Sequence, residues 1–171
     1  MKERLPISER YDSQRGWFAY EVYNQMIKNQ NIWLIVADLG WGMWDKVKRD
    51  FPNRFINTGA AEQSALGIGV GLALEGKISL VYSITPFLIY RPCETIRNYI
   101  NHEKIPVKLV GSGRDRDYQH DGFSHWAKED REVMKIFSNI EARWPETKEE
   151  IPDLVKWMIK NNKPTYINLR R

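Results

Sequence analysis

Short runs of β-branched and other apolar residues alternate along the chain with stretches whose apolar positions recur at helical spacing. The runs are Ile32 to Ala37, Phe55 to Asn57, Ser79 to Tyr82, Val107 to Gly111, Ile140 to Arg143 and Thr165 to Leu169. Between them lie helical stretches from Trp44 to Arg49, Glu62 to Leu74, Arg91 to His102, near Asp130 to Phe137, and Glu149 to Asn161. Ahead of all of these, Gln14 to Lys28 carries Trp17, Phe18, Tyr20, Val22, Tyr23, Met26 and Ile27, enough for a first amphipathic helix. The strands read as continuous apolar runs, so both sheet faces are covered, and helical crossovers between them require parallel neighbours. The pattern predicts a doubly wound α/β domain: a mostly parallel sheet of about six strands with helices on both faces. It divides into an N-terminal arm with the first helix, residues 1–30, and a compact body, residues 31–171. Polar Met1 to Ser13 is expected to drape over a neighbour.

Composition changes this picture little. At 171 residues the chain can bury a core without staples, and 42% hydrophobic and 28% charged residues are ordinary for a globular protein. The net charge of +4 is scattered rather than gathered into a basic arm, which argues against nucleic acid as a partner. The lone Cys93 excludes an internal disulfide framework and a multi-cysteine metal site, and fits a reducing compartment. No apolar run reaches membrane-spanning length and the N-terminus has no signal-peptide pattern, so a cytoplasmic protein without a membrane partner is expected.

In open α/β sheets ligands gather at the carboxyl ends of the strands. The first such loop holds Asp38. The second, Thr58-Gly-Ala-Ala-Glu62, opens a helix containing Gly67-Ile-Gly-Val-Gly71. These glycines lie inside the helix rather than in the turn, and Leu72 stands where a dinucleotide fingerprint needs a third glycine. Three helical glycines, each disfavoured by about 1 kcal/mol relative to Ala, predict close packing against a partner helix or a cofactor. Glu62 gains from the helix macrodipole wherever it sits. Its small apolar surroundings, Gly59-Ala-Ala and Ser64-Ala-Leu-Gly, desolvate the carboxylate and make it a candidate proton carrier towards a heteroaromatic ring. After the third strand, Phe87 and Tyr90 can pack in the core or wall a slot for a flat ligand. In Asp121-Gly-Phe-Ser-His125, His125 is the histidine suited to substrate contact or acid–base work, whereas His102 and His120 read as solvated.

Four segments carry a resemblance: Arg54 to Ala73 with Glu62-Gln63, Val81-Tyr-Ser-Ile-Thr-Pro-Phe-Leu, Ile105-Pro-Val-Lys-Leu-Val-Gly-Ser, and Asp121 to His125. In order and spacing they resemble the pyrimidine-binding domain of transketolase-like, thiamine-diphosphate-dependent enzymes, over roughly Trp33 to Leu169. The resemblance implies that residues 31–171 are that domain. It implies that Glu62 hydrogen-bonds the cofactor's aminopyrimidine, that Phe87 and Tyr90 stack on it, and that Asp38 lies near it. Asp121 and His125 match substrate-contacting residues, and Cys93 stands where several relatives have a further aromatic. In the family the diphosphate and Mg²⁺ are held by another domain through a Gly-Asp-Gly motif and an Asn, a motif not found in this sequence. The expectation is therefore a separate diphosphate-binding subunit, a dimer of heterodimers with the glycine helix at the interface, and transfer of a ketol unit between sugar phosphates. A 1-deoxyxylulose-5-phosphate synthase-like subunit, a 2-oxo acid decarboxylase subunit and a non-catalytic interaction module are the alternatives. The charged stretch Arg114-Asp-Arg-Asp-Tyr-Gln-His is expected to meet a phosphorylated or acidic substrate.

Overall fold

The computed structural model describes residues 4–171. Its sheet has six strands, all parallel: β1 (Ile32–Val36), β2 (Phe55–Asn57), β3 (Ile78–Ile84), β4 (Lys108–Ser112), β5 (Glu141–Arg143) and β6 (Thr165–Leu169), in the order β2-β1-β3-β4-β6-β5. The helices are α1 (Gln14–Lys28), α2 (Asp45–Asp50), α3 (Glu62–Leu74), α4 (Thr85–Tyr90), α5 (Cys93–Thr95), α6 (Asp130–Ile136) and α7 (Ile151–Lys160).

Alternate residues of each buried strand point to opposite faces, which splits the core in two. Leu34 and Val36 of β1, Leu80 and Tyr82 of β3 and Ile167 of β6 pack under α1 and α7, against Phe18, Val22, Met26, Val155 and Met158. Ile35, Val81, Leu109 and Tyr166 face the other way, against Ala65, Leu66, Leu88, Ile96 and Met134. This covering of both faces is why the strands read as unbroken apolar runs.

Local signals set the element ends. Ser13 caps α1 by accepting the Gly16 N–H at 3.1 Å. The stretch ahead of α7 opens with a capping box in which the Glu150 carboxylate accepts the Thr147 N–H at 2.8 Å. Pro92, with no N–H to donate, separates α4 from α5, and the expected Arg91 to His102 helix continues as a π-helix over Ile96–His102. The described part of the arm packs at Leu5 against its own α1. Leu5 is buried, its N–H donating to Asn24 Oδ1 at 3.1 Å and its carbonyl accepting the Tyr20 hydroxyl at 2.8 Å. The Met1 to Glu3 part of the expected arm lies outside the described residues.

The chain leaves β1 for β2 on one side and returns to β3 on the other. That reversal opens a crevice outside the carboxyl ends of β1 and β3, the position where open α/β sheets bind ligands.

Candidate active site

Glu62 is the first residue of α3 and stands at this crevice, only 2% exposed. Its burial agrees with the small-residue surroundings, but the carboxylate is not left in apolar isolation. Ser83, near the end of β3, donates its hydroxyl to Oε1 at 3.2 Å, and Arg91 donates from Nη1 to Oε2 at 2.6 Å. The same guanidinium stacks on Phe87, with Cζ 3.9 Å from the ring centroid. A planar, nitrogen-bearing cation is thus held between a buried carboxylate and an aromatic face. Neither Ser83 nor Arg91 stands out from the sequence as a site residue. The spacing of Phe87 and Arg91, four residues apart at helical pitch, was the available local sign of their stacking.

The rest of the cleft is built from the loop between β4 and α6. His125 sets its ring edge-on to Phe87, centroids 4.8 Å apart at 69°, and Ser124 Oγ lies 3.0 Å from its Nδ1. The His125 N–H donates to the Gly122 carbonyl at 3.0 Å, a turn that Gly122 makes possible with φ 81°. Asp121 precedes this turn, exposed, and its carboxylate makes no hydrogen bond or ion pair among the described residues. Tyr90 is 40% exposed on the far turn of α4, and partial burial followed by the Glu129 carboxylate raises its phenol above the ordinary range. The contacts thus run from Glu62 through Arg91 to Phe87 and on to His125, and among the described residues none of them includes Tyr90 or Asp121.

Asp38 lies at the end of β1 in the left-handed region, φ 48°, which short polar side chains tolerate better than most. Its N–H donates to Asn57 Oδ1 at 3.1 Å, and the same oxygen accepts the Gly59 N–H at 3.0 Å. Asn57, which sequence reasoning passed over, therefore ties the loop carrying Asp38 to the one that delivers Glu62.

One expectation is corrected, that for Arg114. Arg114 does not reach towards substrate: its side chain is 2% exposed, donates to the carbonyls of Pro145 at 2.7 Å and Asn168 at 2.9 Å, and pairs with Glu146 at 3.2 Å. Arg116, from the same stretch, lies over Trp126 at 4.5 Å. In α3, a Cβ at Gly69 would come within 2.7 Å of Val81 Cγ2, so at this one of the three glycines the close neighbour is the chain's own β3. Gly67 and Gly71 meet nothing within 4 Å and face outward with Ile68, 37% exposed, and Leu74, 68% exposed. Among the described residues no group of three or more His, Cys, Asp and Glu is placed to hold a metal ion, and no helix is long and apolar enough to cross a membrane.

Chemically, the cluster offers a buried carboxylate, an aromatic face and an imidazole beside it. The family profile described as transketolase, pyrimidine binding domain, matches residues 15–171. The chain belongs to this family. Transketolase relatives agree along most of its length. It is similar to the putative transketolase C-terminal section of Methanocaldococcus jannaschii, 31% identical over 168 residues, 98% of this chain and 53% of that protein. It is also similar to a subunit of the apulose-4-phosphate transketolase of Actinobacillus succinogenes, 34% identical over 121 residues, 71% of this chain and 39% of that protein. A solved split gene transketolase, described as an inactive beta4 tetramer, superposes with a TM-score of 0.82 at 28% identity, covering 94% of this chain and 52% of that one. The chain spans about half, or less, of the length of these transketolase relatives.

Proposed function

We propose that this chain is the pyrimidine-binding subunit of a split, transketolase-like enzyme that uses thiamine diphosphate and transfers a ketol unit between sugar phosphates. The observation that carries the reading is the seat formed by Glu62 and Phe87, where a planar N–H-bearing group already fits between a buried carboxylate and a ring face. In this reading residues 1–30 are the arm and first helix, and 31–171 the pyrimidine-binding domain. When bound, the cofactor supplies the carbon nucleophile and the electron sink for carbon–carbon cleavage.

The chain's own residues bind, orient and move protons. Glu62 holds a proton at the aminopyrimidine ring nitrogen, Ser83 fixes the rotamer of its carboxylate, and Phe87, with Tyr90 at the margin, stacks on the ring. His125 and Asp121 contact substrate, His125 also serving in proton transfer, and Asp38 borders the cofactor. Diphosphate and Mg²⁺ are assigned to a separate diphosphate-binding subunit, in keeping with relatives named as a subunit and as a split gene product. The outward face of α3, with Gly67, Ile68, Gly71 and Leu74, is the surface we assign to assembly, as a dimer of heterodimers in the cytoplasm.

Reconstitution tests the reading. The chain mixed with its diphosphate-binding subunit, Mg²⁺ and thiamine diphosphate should show ketol transfer, measured by coupled assay. Glu62→Gln should lower it by about 100-fold or more, the scale of a lost proton relay. Full activity in that variant contradicts the role given to Glu62.

A further inference from the structure

We propose that the guanidinium of Arg91 is a built-in occupant of the pyrimidine seat, so that cofactor binding to this chain is an exchange with Arg91 rather than simple filling of a slot. The inference rests on the reading of the Glu62 cleft as a pyrimidine site, and it names the residue that sets affinity there.

The geometry carries it. Arg91 is flat, positively charged and rich in N–H donors. It makes the two contacts that an aminopyrimidine would need: a 2.6 Å hydrogen bond to Glu62 Oε2 and a face contact with Phe87 at 3.9 Å. Glu62 is 2% exposed and Phe87 half-buried, so one carboxylate edge and one ring face cannot serve both groups at once. Arg91 itself is 46% exposed and lies where Pro92 interrupts the helix, so its side chain can turn out to solvent without disturbing the core. Within the cleft, Ser83 is the other group on the carboxylate and it donates to the opposite oxygen. When Arg91 leaves, Glu62 needs a new donor at once, because a buried carboxylate with no partner is strongly unfavourable. An arriving ring with N–H groups meets that need, which makes the exchange selective for ligands that donate to the carboxylate as well as stack. A competitor that must first be displaced weakens apparent affinity by the fraction of time the seat is open.

Titration of the isotope-labelled full chain with the hydroxymethyl-aminopyrimidine half of thiamine, followed by NMR, tests this without an assay. The expected result is that the Arg91 Nε–H signal moves to the position it takes in Glu62→Gln, in step with the ring signals of Phe87 and His125. Arg91→Ala and the milder Arg91→Gln, which keeps a donor near Glu62 if the alanine variant does not fold, should bind the probe about three- to tenfold more tightly. If Phe87 and His125 respond while the Arg91 signal stays put, and neither variant binds more tightly, the exchange is overturned and the pyrimidine site stands. If nothing around Glu62 responds in the wild type or in either variant, the exchange and the pyrimidine site fall together.

Discussion

The fold buries two carboxylates at the starts of helices and treats them oppositely. Glu62, on α3, is held by a half-exposed arginine and one serine hydroxyl. Asp130, on α6, is 1% exposed and takes three neutral donors on Oδ2: Trp144 Nε1 at 2.6 Å, Tyr166 OH at 2.8 Å and Asn168 Nδ2 at 2.6 Å. Those donors sit on and beside β5 and β6, inside the sheet, and Asn168 passes the connection on to Thr85 at the start of α4. Burial alone therefore does not mark a working acid. What separates the two is whether the partners can leave: Arg91 can swing into water, whereas Trp144, Tyr166 and Asn168 are fixed by packing. On the proposed reading, Asp130 serves as a knot and Glu62 as an exchange site.

The largest expected effect follows from that difference. Asp130→Ala strands three buried donors and should lower unfolding free energy by about 3 kcal/mol or more, measured by urea denaturation. Glu62→Gln frees Arg91 to seek solvent and should cost about 1 kcal/mol. Equal losses for the two would break the contrast. Next comes the pair of faces on α3. Gly69→Ala forces a Cβ into Val81 and should destabilise by about 1–3 kcal/mol, whereas Gly67→Ala, in open space, should stabilise the isolated chain by up to about 1 kcal/mol. If the outer face is the assembly surface, Gly67→Ala should still weaken association with the diphosphate-binding subunit, read by analytical ultracentrifugation.

The last effect, confined to alkaline pH, concerns a third buried charge, Lys108 of β4, whose ammonium donates to the carbonyls of Asn161 and Lys163. Like Asp130 it has fixed neutral partners. Burial pushes its pKa down from 10.5 to about 8, with Glu141 acting weakly the other way. The folded chain therefore binds fewer protons than the unfolded one between about pH 8 and 10.5, so stability rises with pH across that window, and below it the penalty is constant. Lys108→Met should remove this rise in thermal melts taken across the window.

Much of the architecture was legible because it depends on local signals. Gln14–Lys28, Phe55–Asn57, Glu62–Leu74 and Thr165–Leu169 have the predicted bounds, each set by a cap, a glycine turn or a β-branched run. Strand β3 extends to Ile78–Ile84, past the Ser79 to Tyr82 expected, since its ends are protected by β1 and β4 on either side. The short helix Thr85–Tyr90 was hidden by Pro86, which reads as a break but is well suited to a first helical turn. Less of the site could be read. The motifs marked Glu62, Phe87 and His125, but the partners of Glu62 lie 21 and 29 residues away and those of Asp130 come from 14 to 38 residues away. No periodicity encodes such meetings. Arg114, in the charged stretch after β4, was misplaced for the same reason: whether it points to solvent or into the sheet depends on the carbonyls of Pro145 and Asn168, which only the fold supplies.

The most direct test of the role given to Glu62 is a crystal structure of the chain assembled with its diphosphate-binding subunit, Mg²⁺ and thiamine diphosphate. The account predicts the Glu62 carboxylate within hydrogen-bonding distance of the pyrimidine ring nitrogen, the ring stacked on Phe87, and Arg91 turned away. A pyrimidine bound elsewhere, with Glu62 still paired to Arg91, would contradict it.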